Sequence, residues 1–110
     1  MKCLVTGGSG FLGSHVADEL TKKGYKVTIF DKKLSKWKKP NQKMIIGNLL
    51  NYNLLKKAIK GKDIIFHFAG LSDLNDSLYQ PIKSVEYNIL GTTYALDLCK
   101  KYKVKRFVYA

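Results

Sequence analysis

Arginine is almost missing from this chain of 110 residues. Arg106 is the only one, although Lys and Arg together number 20 against 8 Asp and Glu, a formal charge of +12. A surplus of that size raises nucleic acid, an acidic membrane surface or anionic substrates as partners. The shortage of arginine argues against a protein that reads base sequence, because the planar guanidinium fork is what grips guanine edges and phosphates. The densest basic stretch is Lys32, Lys33, Lys36, Lys38 and Lys39 around Trp37. A basic loop with an aromatic is one way to bind single strands. Its plainer reading is a solvated loop, and we expect no nucleic-acid partner. No apolar run nears the ~20 residues that cross a bilayer, so no membrane partner is expected either. Cysteine is scarce. Cys3 and Cys99 lie far apart, without metal or redox spacing, and suit two buried thiols in a reducing, cytoplasmic setting. The first strand starts at once, which leaves no room for a signal peptide. Repeats and low-complexity segments are absent, and the apolar fraction is that of a globular chain. One domain over residues 1–110, with a modest core, is what this length allows.

What the chain does have is glycine in one place. Gly7, Gly8, Gly10 and Gly13 fall within seven residues. Cys3, Leu4 and Val5 before them read as a buried strand. After them Leu12, Val16 and Leu20 recur every fourth residue, one face of a helix. Gly8, Gly10 and Gly13 satisfy G-x-G-x-x-G, and Gly7, Gly10 and Gly13 satisfy G-x-x-G-x-x-G. A chain that turns sharply from strand to helix, lets its backbone approach a pyrophosphate and packs the helix close to the strand needs glycine at such positions. The phosphates then meet unpaired amides at the positive end of the helix. The second strand ends in Asp31, 18 residues after Gly13, where a carboxylate can accept hydrogen bonds from adenosine ribose hydroxyls. Strand, glycines, helix, strand and acid arrive in the order of a dinucleotide-binding βαβ unit.

Further along, strands and helices alternate. We expect strands at 2–6, 26–30, 43–46, 63–68 and 105–109, and helices at 11–23, 52–60 and 81–102. This predicts an α/β, doubly wound parallel sheet. Gly24 and Gly61 follow helices, Asn51 or Asn53 can cap the second helix, and Pro81 suits a first turn. Asn48 leaves the carboxyl end of the third strand. It can accept a hydrogen bond from an adenine amino group, or it is a simple turn residue. His67 invites a catalytic reading, but packing within its strand is the preferred one. The long helix carries two apolar faces. Val85, Ile89, Leu96 and Cys99 form one, and Tyr87, Leu90, Tyr94 and Leu98 the other. One face would cover the sheet, and the other would meet further chain or a partner subunit. Gly91, unfavourable by about 1 kcal/mol in a helix, implies close packing against a neighbour.

Thr6-Gly7-Gly8-Ser9-Gly10-Phe11-Leu12-Gly13, Asp31, Gly47-Asn48, His67-Phe68-Ala69-Gly70, Asn88-Ile89-Leu90-Gly91-Thr92 and Val104 to Ala110 together resemble the extended short-chain dehydrogenase/reductases, the NAD-dependent epimerase/dehydratase group. The chain is especially similar to UDP-glucose 4-epimerase-like nucleotide-sugar enzymes. The resemblance implies a Rossmann-type fold, cut off after the fifth strand, with NAD as cofactor and a nucleotide sugar as the substrate of the full-length parent. It also implies a homodimer through helix 81–102. By position, Gly7, Gly10, Phe11, Leu12 and Gly13 would hold the pyrophosphate, and Asp31 the adenosine ribose, with Lys32 nearby. Asn48 and Leu49 would flank adenine. Phe68, Ala69 and Gly70 would line the pyrophosphate and nicotinamide ribose, and Asn88 would face the cofactor. Two departures stand out. The family commonly has aspartate at Asn48, and some epimerases have lysine at Ser72.

Family catalysis uses a Ser or Thr and then a Tyr-x-x-x-Lys pair beyond the fifth strand. Neither falls within these residues, so no catalytic residue is assigned and the 110 residues alone are expected to be inactive. Tyr52 to Lys56 and Tyr79 to Lys83 match the string but lie upstream of the required position. Two other readings stay open at this stage: a non-catalytic NAD(P)-sensing Rossmann protein, and a basic nucleic-acid-binding module.

Overall fold

The computed structural model describes residues 1–70 and 79–110. Along the chain run β1 (Lys2–Thr6), α1 (Phe11–Lys22), β2 (Lys26–Asp31), β3 (Lys43–Ile46), α2 (Tyr52–Ile59), β4 (Ile64–His67), α3 (Pro81–Val85), a π-helical turn (Glu86–Leu90), α4 (Gly91–Lys101) and β5 (Arg106–Tyr109). The strands form one parallel sheet in the order β3-β2-β1-β4-β5, with helices on both faces. This is the doubly wound α/β fold. Element ends differ from the expected ones by a residue or two, as frayed ends do.

Alternation along the strands decides what each face buries. Leu4, Phe30 and Ile65 pack with Leu55, Ala58 and Ile59 of α2 and Ala95, Leu98 and Cys99 of α4. Cys3, Val5, Val27, Ile29 and Ile64 pack with Ala17 and Leu20 of α1. Both cysteines are buried free thiols. Burial pushes Cys3 above its ordinary value and Cys99 up to about 11, so neither is a ready nucleophile.

The register sets up the functional edge. Thr6 lies opposite Phe30 on one side and His67 on the other. The carboxyl ends of β2, β1 and β4 are therefore level, and their loops emerge side by side. After β1 the chain builds outward through β2 and β3, then crosses to β4. The reversal leaves a crevice between β1 and β4, where ligands bind in such sheets.

The expected single helix at 81–102 is instead three segments. The Gly91 amide reaches back five residues to the Glu86 carbonyl, which adds a residue to that turn. The faces also divide differently from the expected way, although Val85, Ile89 and Leu96 stay together on the exposed side. Cys99 does not belong with Val85, Ile89 and Leu96; it is buried beside Leu98 on the sheet face. Leu90 is exposed rather than part of the sheet-facing stripe, and Tyr87 and Tyr94 are half-buried there. The capping residue of α2 is Asn51, whose side chain accepts from the Leu54 amide. Among the described residues no helix is long and apolar enough to cross a membrane.

Gly91 has the close neighbour that its place in a helix implies, and that neighbour is Leu49. A Cβ on Gly91 would come within 2.5 Å of Leu49 Cδ2 and 2.8 Å of its Cγ, and Leu49 is itself buried. Alanine would gain about 1 kcal/mol of helix propensity. Overpacking a filled site costs about 1–3 kcal/mol. Gly91→Ala is expected to lower stability by about 1 kcal/mol despite the better helix former. Urea unfolding checks this, and a variant more stable than wild type would show that Leu49 yields freely.

Candidate dinucleotide-binding site

The glycine loop joins β1 to α1 at the crevice, and its glycines are used in two ways. Gly7 has φ 73°, donates its amide to the Phe30 carbonyl at 2.8 Å, and would place a Cβ 2.8 Å from the Phe68 carbonyl carbon and the Ala69 nitrogen. Only glycine lets the two loops meet so closely. A Cβ on Gly13 would strike the Gly7 carbonyl oxygen, and one on Gly8 would strike the Ile29 side chain. Gly10 differs. Its backbone is extended (φ −82°, ψ 178°), and a Cβ there would meet only the Gly7 oxygen, at 3.4 Å. The space in front of Gly10 is open. The amides of Phe11, Leu12 and Gly13 begin α1 there with no backbone acceptor among the described residues, and no acidic side chain sits in that first turn. An opening bounded by free amides at a helix N-terminus fits a phosphate.

Asp31 ends β2 beside this opening. Its carboxylate accepts from the Ser9 amide at 3.0 Å and from the Lys33 amide at 3.3 Å. The Ser9 hydroxyl donates to the Lys33 carbonyl at 2.6 Å. Asp31 thereby ties the glycine loop to the loop after β2. Lys32 makes no ion pair with Asp31; its Nζ lies 4.4 Å from the centre of the Tyr87 ring.

Two adjoining grooves run along the edge and share Gly7, Gly10, Phe68, Ala69 and Gly70. The first adds Phe30, Asp31, Lys32, Gly47, Leu49 and Tyr87. The second adds Phe11, Leu12, Gly13, His67, Asn88, Tyr109 and Ala110. All the candidate cofactor residues line one or the other except Asn48. The Asn48 Oδ1 accepts from the Leu50 amide and its Nδ2 donates to the Tyr87 hydroxyl, both at 2.9 Å. Ser72 lies outside the described residues. Tyr87 and Phe30 line the groove without having stood out in the sequence, where Tyr87 reads as one more member of an apolar stripe; Gly47, of the Gly47-Asn48 pair, lines it as well. A further groove between Ser9, Asp31 and the basic loop is lined by Lys33, Lys36 and Trp37.

His67 is fixed from both sides. The Thr6 hydroxyl oxygen accepts from the Phe68 and Ala69 amides at 3.1 and 3.2 Å. With both lone pairs engaged, its one proton goes to His67 Nδ1, at 2.8 Å. The ring then carries its hydrogen on Nε2, which faces the Thr92 hydroxyl at 3.2 Å. Only 1% of the residue is exposed. Burial lowers its pKa to about 4. A neutral histidine packed in the strand, holding the Phe68–Gly70 turn through Thr6, is what the geometry describes. The two Tyr-x-x-x-Lys strings are elsewhere. The Tyr52 hydroxyl donates to Asp97 at 2.8 Å, which raises its pKa, the reverse of what an acid/base tyrosine needs. Tyr79 is exposed just before α3. No cluster of metal-ligating side chains occurs among the described residues.

A parallel sheet with a glycine-lined opening at a helix N-terminus and an acid closing β2 is the architecture of a dinucleotide-binding α/β protein. Residues 3–110 match the NAD dependent epimerase/dehydratase family, and the chain belongs to that family, whose cofactor is NAD. The dTDP-D-glucose 4,6-dehydratase of Dictyostelium discoideum is 40% identical over 98% of this chain and 28% of its own length. The UDP-glucose 4-epimerase of Thermotoga maritima, solved with UDP-glucose, superposes with a TM-score of 0.93 at 29% identity, over 99% of this chain and 37% of that one. MoeE5, solved with UDP-glucose and NAD, gives a TM-score of 0.89 at 30% identity, over 99% and 36%. The chain thus spans about a third of the length of the relatives it matches.

Two outcomes follow from this geometry. Gly10→Val should leave the fold nearly intact, because its backbone is extended and its Cβ position open, yet abolish dinucleotide binding by filling the phosphate space. Unchanged affinity in a folded variant would make the loop a turn and nothing more. The second concerns His67. Its folded pKa lies near 4, against 6.5 in the unfolded chain, so the unfolded state binds more protons between these values. Stability should fall by about 3 kcal/mol as pH drops through that window and lose nothing more to this group below it. Denaturation midpoints measured from pH 7 to 4 in wild type and His67→Gln check this, and equal slopes would remove His67 as the cause.

Proposed function

We propose that residues 1–110 are the NAD-binding portion of a nucleotide-sugar epimerase or dehydratase. The observation that carries this reading is the pairing of the Gly10 opening with the Asp31 carboxylate on one sheet edge. One receives a pyrophosphate, and the other accepts from ribose hydroxyls. Gly7, Gly10, Gly13 and the amides of Phe11 and Leu12 hold the pyrophosphate. Asp31 holds the adenosine ribose, with Lys32 close by. Leu49 forms the adenine wall, and Asn48 supports it from the same loop. Phe68, Ala69, Gly70 and Asn88 line the nicotinamide half. When bound, NAD accepts a hydride from a sugar carbon and returns it. The chain's own residues bind and orient the cofactor.

The nucleotide-sugar substrate is supported by the nature of the dehydratase and epimerase relatives. In our reading it is bound, and its proton handled, by parts of the parent outside residues 1–110. The 110 residues alone therefore turn over nothing. Ile82, Val85, Ile89 and Leu96 are 76%, 54%, 62% and 48% exposed and form an apolar stripe along α3, the π-helical turn and α4. This supports a homodimer through that helix, since large exposed apolar patches mark association surfaces. A cytoplasmic location accords with the two free buried thiols. Neither nucleic acid nor membrane is assigned as a partner.

Calorimetric titration with NAD and NADP is the test. NAD should bind more tightly, because a 2′-phosphate brings negative charge against Asp31. Hydrogen bonds to a charged group contribute about 1.5–3 kcal/mol, so Asp31→Ala should weaken NAD about 10- to 100-fold. The same preparation should form no NADH with UDP- or dTDP-sugars. Equal wild-type affinities for NAD and NADP would sink the ribose assignment, and turnover would place a catalytic group within these residues.

A further inference from the structure

Asp31 is followed directly by two lysines, in a chain with a large excess of them. Among the described residues, however, the ion pairs are Lys22 with Glu19 and Lys105 with Asp63. Asp31 has none. Lys33 gives it a backbone amide rather than an ammonium. The Lys32 ammonium lies instead on the face of Tyr87. That ring is itself anchored, since its hydroxyl accepts from Asn48 Nδ2 and Asn48 Oδ1 is held by the Leu50 amide. Tyr87 stands on the π-helical turn and lines the same groove as Asp31 and Lys32. On the reading of this groove as an NAD site, we infer that Tyr87 is a cofactor-specificity residue. Its ring holds Lys32 on the π-turn wall and keeps the Asp31 carboxylate unneutralised.

The chemistry follows from charge and reach. An ammonium on a four-carbon stem beside Asp31 has two natural alternatives: the carboxylate, or a phosphate on the ribose 2′-oxygen. Either one favours NADP over NAD. The first cancels the charge that repels a phosphate, and the second binds the phosphate itself. A ring quadrupole that takes up the ammonium removes both. The hydrogen bond from Asn48 to Tyr87 gives the loop after β3 a part in this selection without contact with the ribose.

The experiment is a double-mutant cycle read by calorimetry with NAD and NADP. An exposed cation–π contact of the usual strength corresponds to about a two- to fivefold effect. Tyr87→Leu should therefore raise the affinity for NADP relative to NAD by about two- to fivefold. Adding Lys32→Ala should remove that gain, because Lys32 is the group released. A second readout does not depend on Tyr87→Leu folding. In the wild-type chain the Lys32 ε-methylene protons should show an upfield ring-current shift by NMR. Wild type that binds NAD but has an unchanged ratio in folded Tyr87→Leu, a gain that survives Lys32→Ala, or unshifted Lys32 protons would each overturn the role of Tyr87 alone. Wild type that binds no NAD would overturn the cofactor reading and the role of Tyr87 together.

Discussion

The close approach of Gly7 to the Phe68–Ala69 backbone is the contact on which the rest depends. It can occur only because β1 and β4 are neighbours in parallel with their ends level, and because position 7 has no side chain. Thr6 then fastens the contact. Its hydroxyl takes the amides of Phe68 and Ala69 and gives its proton to His67. The Phe68 amide also reaches the Thr6 carbonyl at 3.0 Å, so the donor that depends on the hydroxyl is the Ala69 amide, at a cost of about 1–3 kcal/mol if left unmade. The crevice takes its shape from this junction. A bulkier residue at 7 would push apart the two loops that form the groove walls.

The same junction explains why a histidine is tolerated in a sheet interior. Its two nitrogens have opposite roles there, one accepting from Thr6 and one facing Thr92, so the neutral ring leaves no polar atom unmatched. The arrangement holds only for the neutral form. A protonated ring would present two donors, and Thr6 has no lone pair left to receive one. The stability of the sheet edge and the order of the Phe68–Gly70 turn are therefore linked to one tautomer.

Local features were legible in the sequence, and pairings across the chain were not. The βαβ unit could be read because strand, glycines, helix, strand and Asp31 occupy one continuous stretch, and each residue type has a steric or chemical reason to be there. The alternation of elements gave the parallel sheet. Helical periodicity did not reveal the π-helical turn, since one extra residue per turn over five residues leaves the apolar spacing almost intact. Cys99 follows the exposed Leu96 by three residues and the buried Ala95 by four, so it lies at the border of two faces and spacing alone does not say which one it joins. Asn48 reads equally as a turn residue or a ligand contact, and its engagement with Tyr87 joins positions 39 apart, which no local pattern encodes. The pattern also could not separate Gly10 from its neighbours. Gly7, Gly8 and Gly13 are glycine because the protein itself fills the space a side chain would need. Gly10 is open in the fold, so its being glycine points to something the chain itself does not contain.

The excess of lysine bears on this site through range rather than contact. A net charge of +12 sets up a field that attracts any dinucleotide, whose pyrophosphate is anionic, and that field falls off over about 8 Å at physiological salt. Such a field cannot choose between NAD and NADP in the desired direction, because it favours the ligand with more negative charge. Selection has to come from a local group of the opposite sign that the surrounding lysines do not neutralise. In the proposed site Asp31 is that group: its carboxylate accepts from two amides, and Lys32, next to it in sequence, rests on an aromatic ring. Added salt would weaken the general attraction more than the contacts at Asp31, which work at hydrogen-bond range. On that proposal, a strongly basic chain keeps a carboxylate free of ion pairs where a ribose would be read.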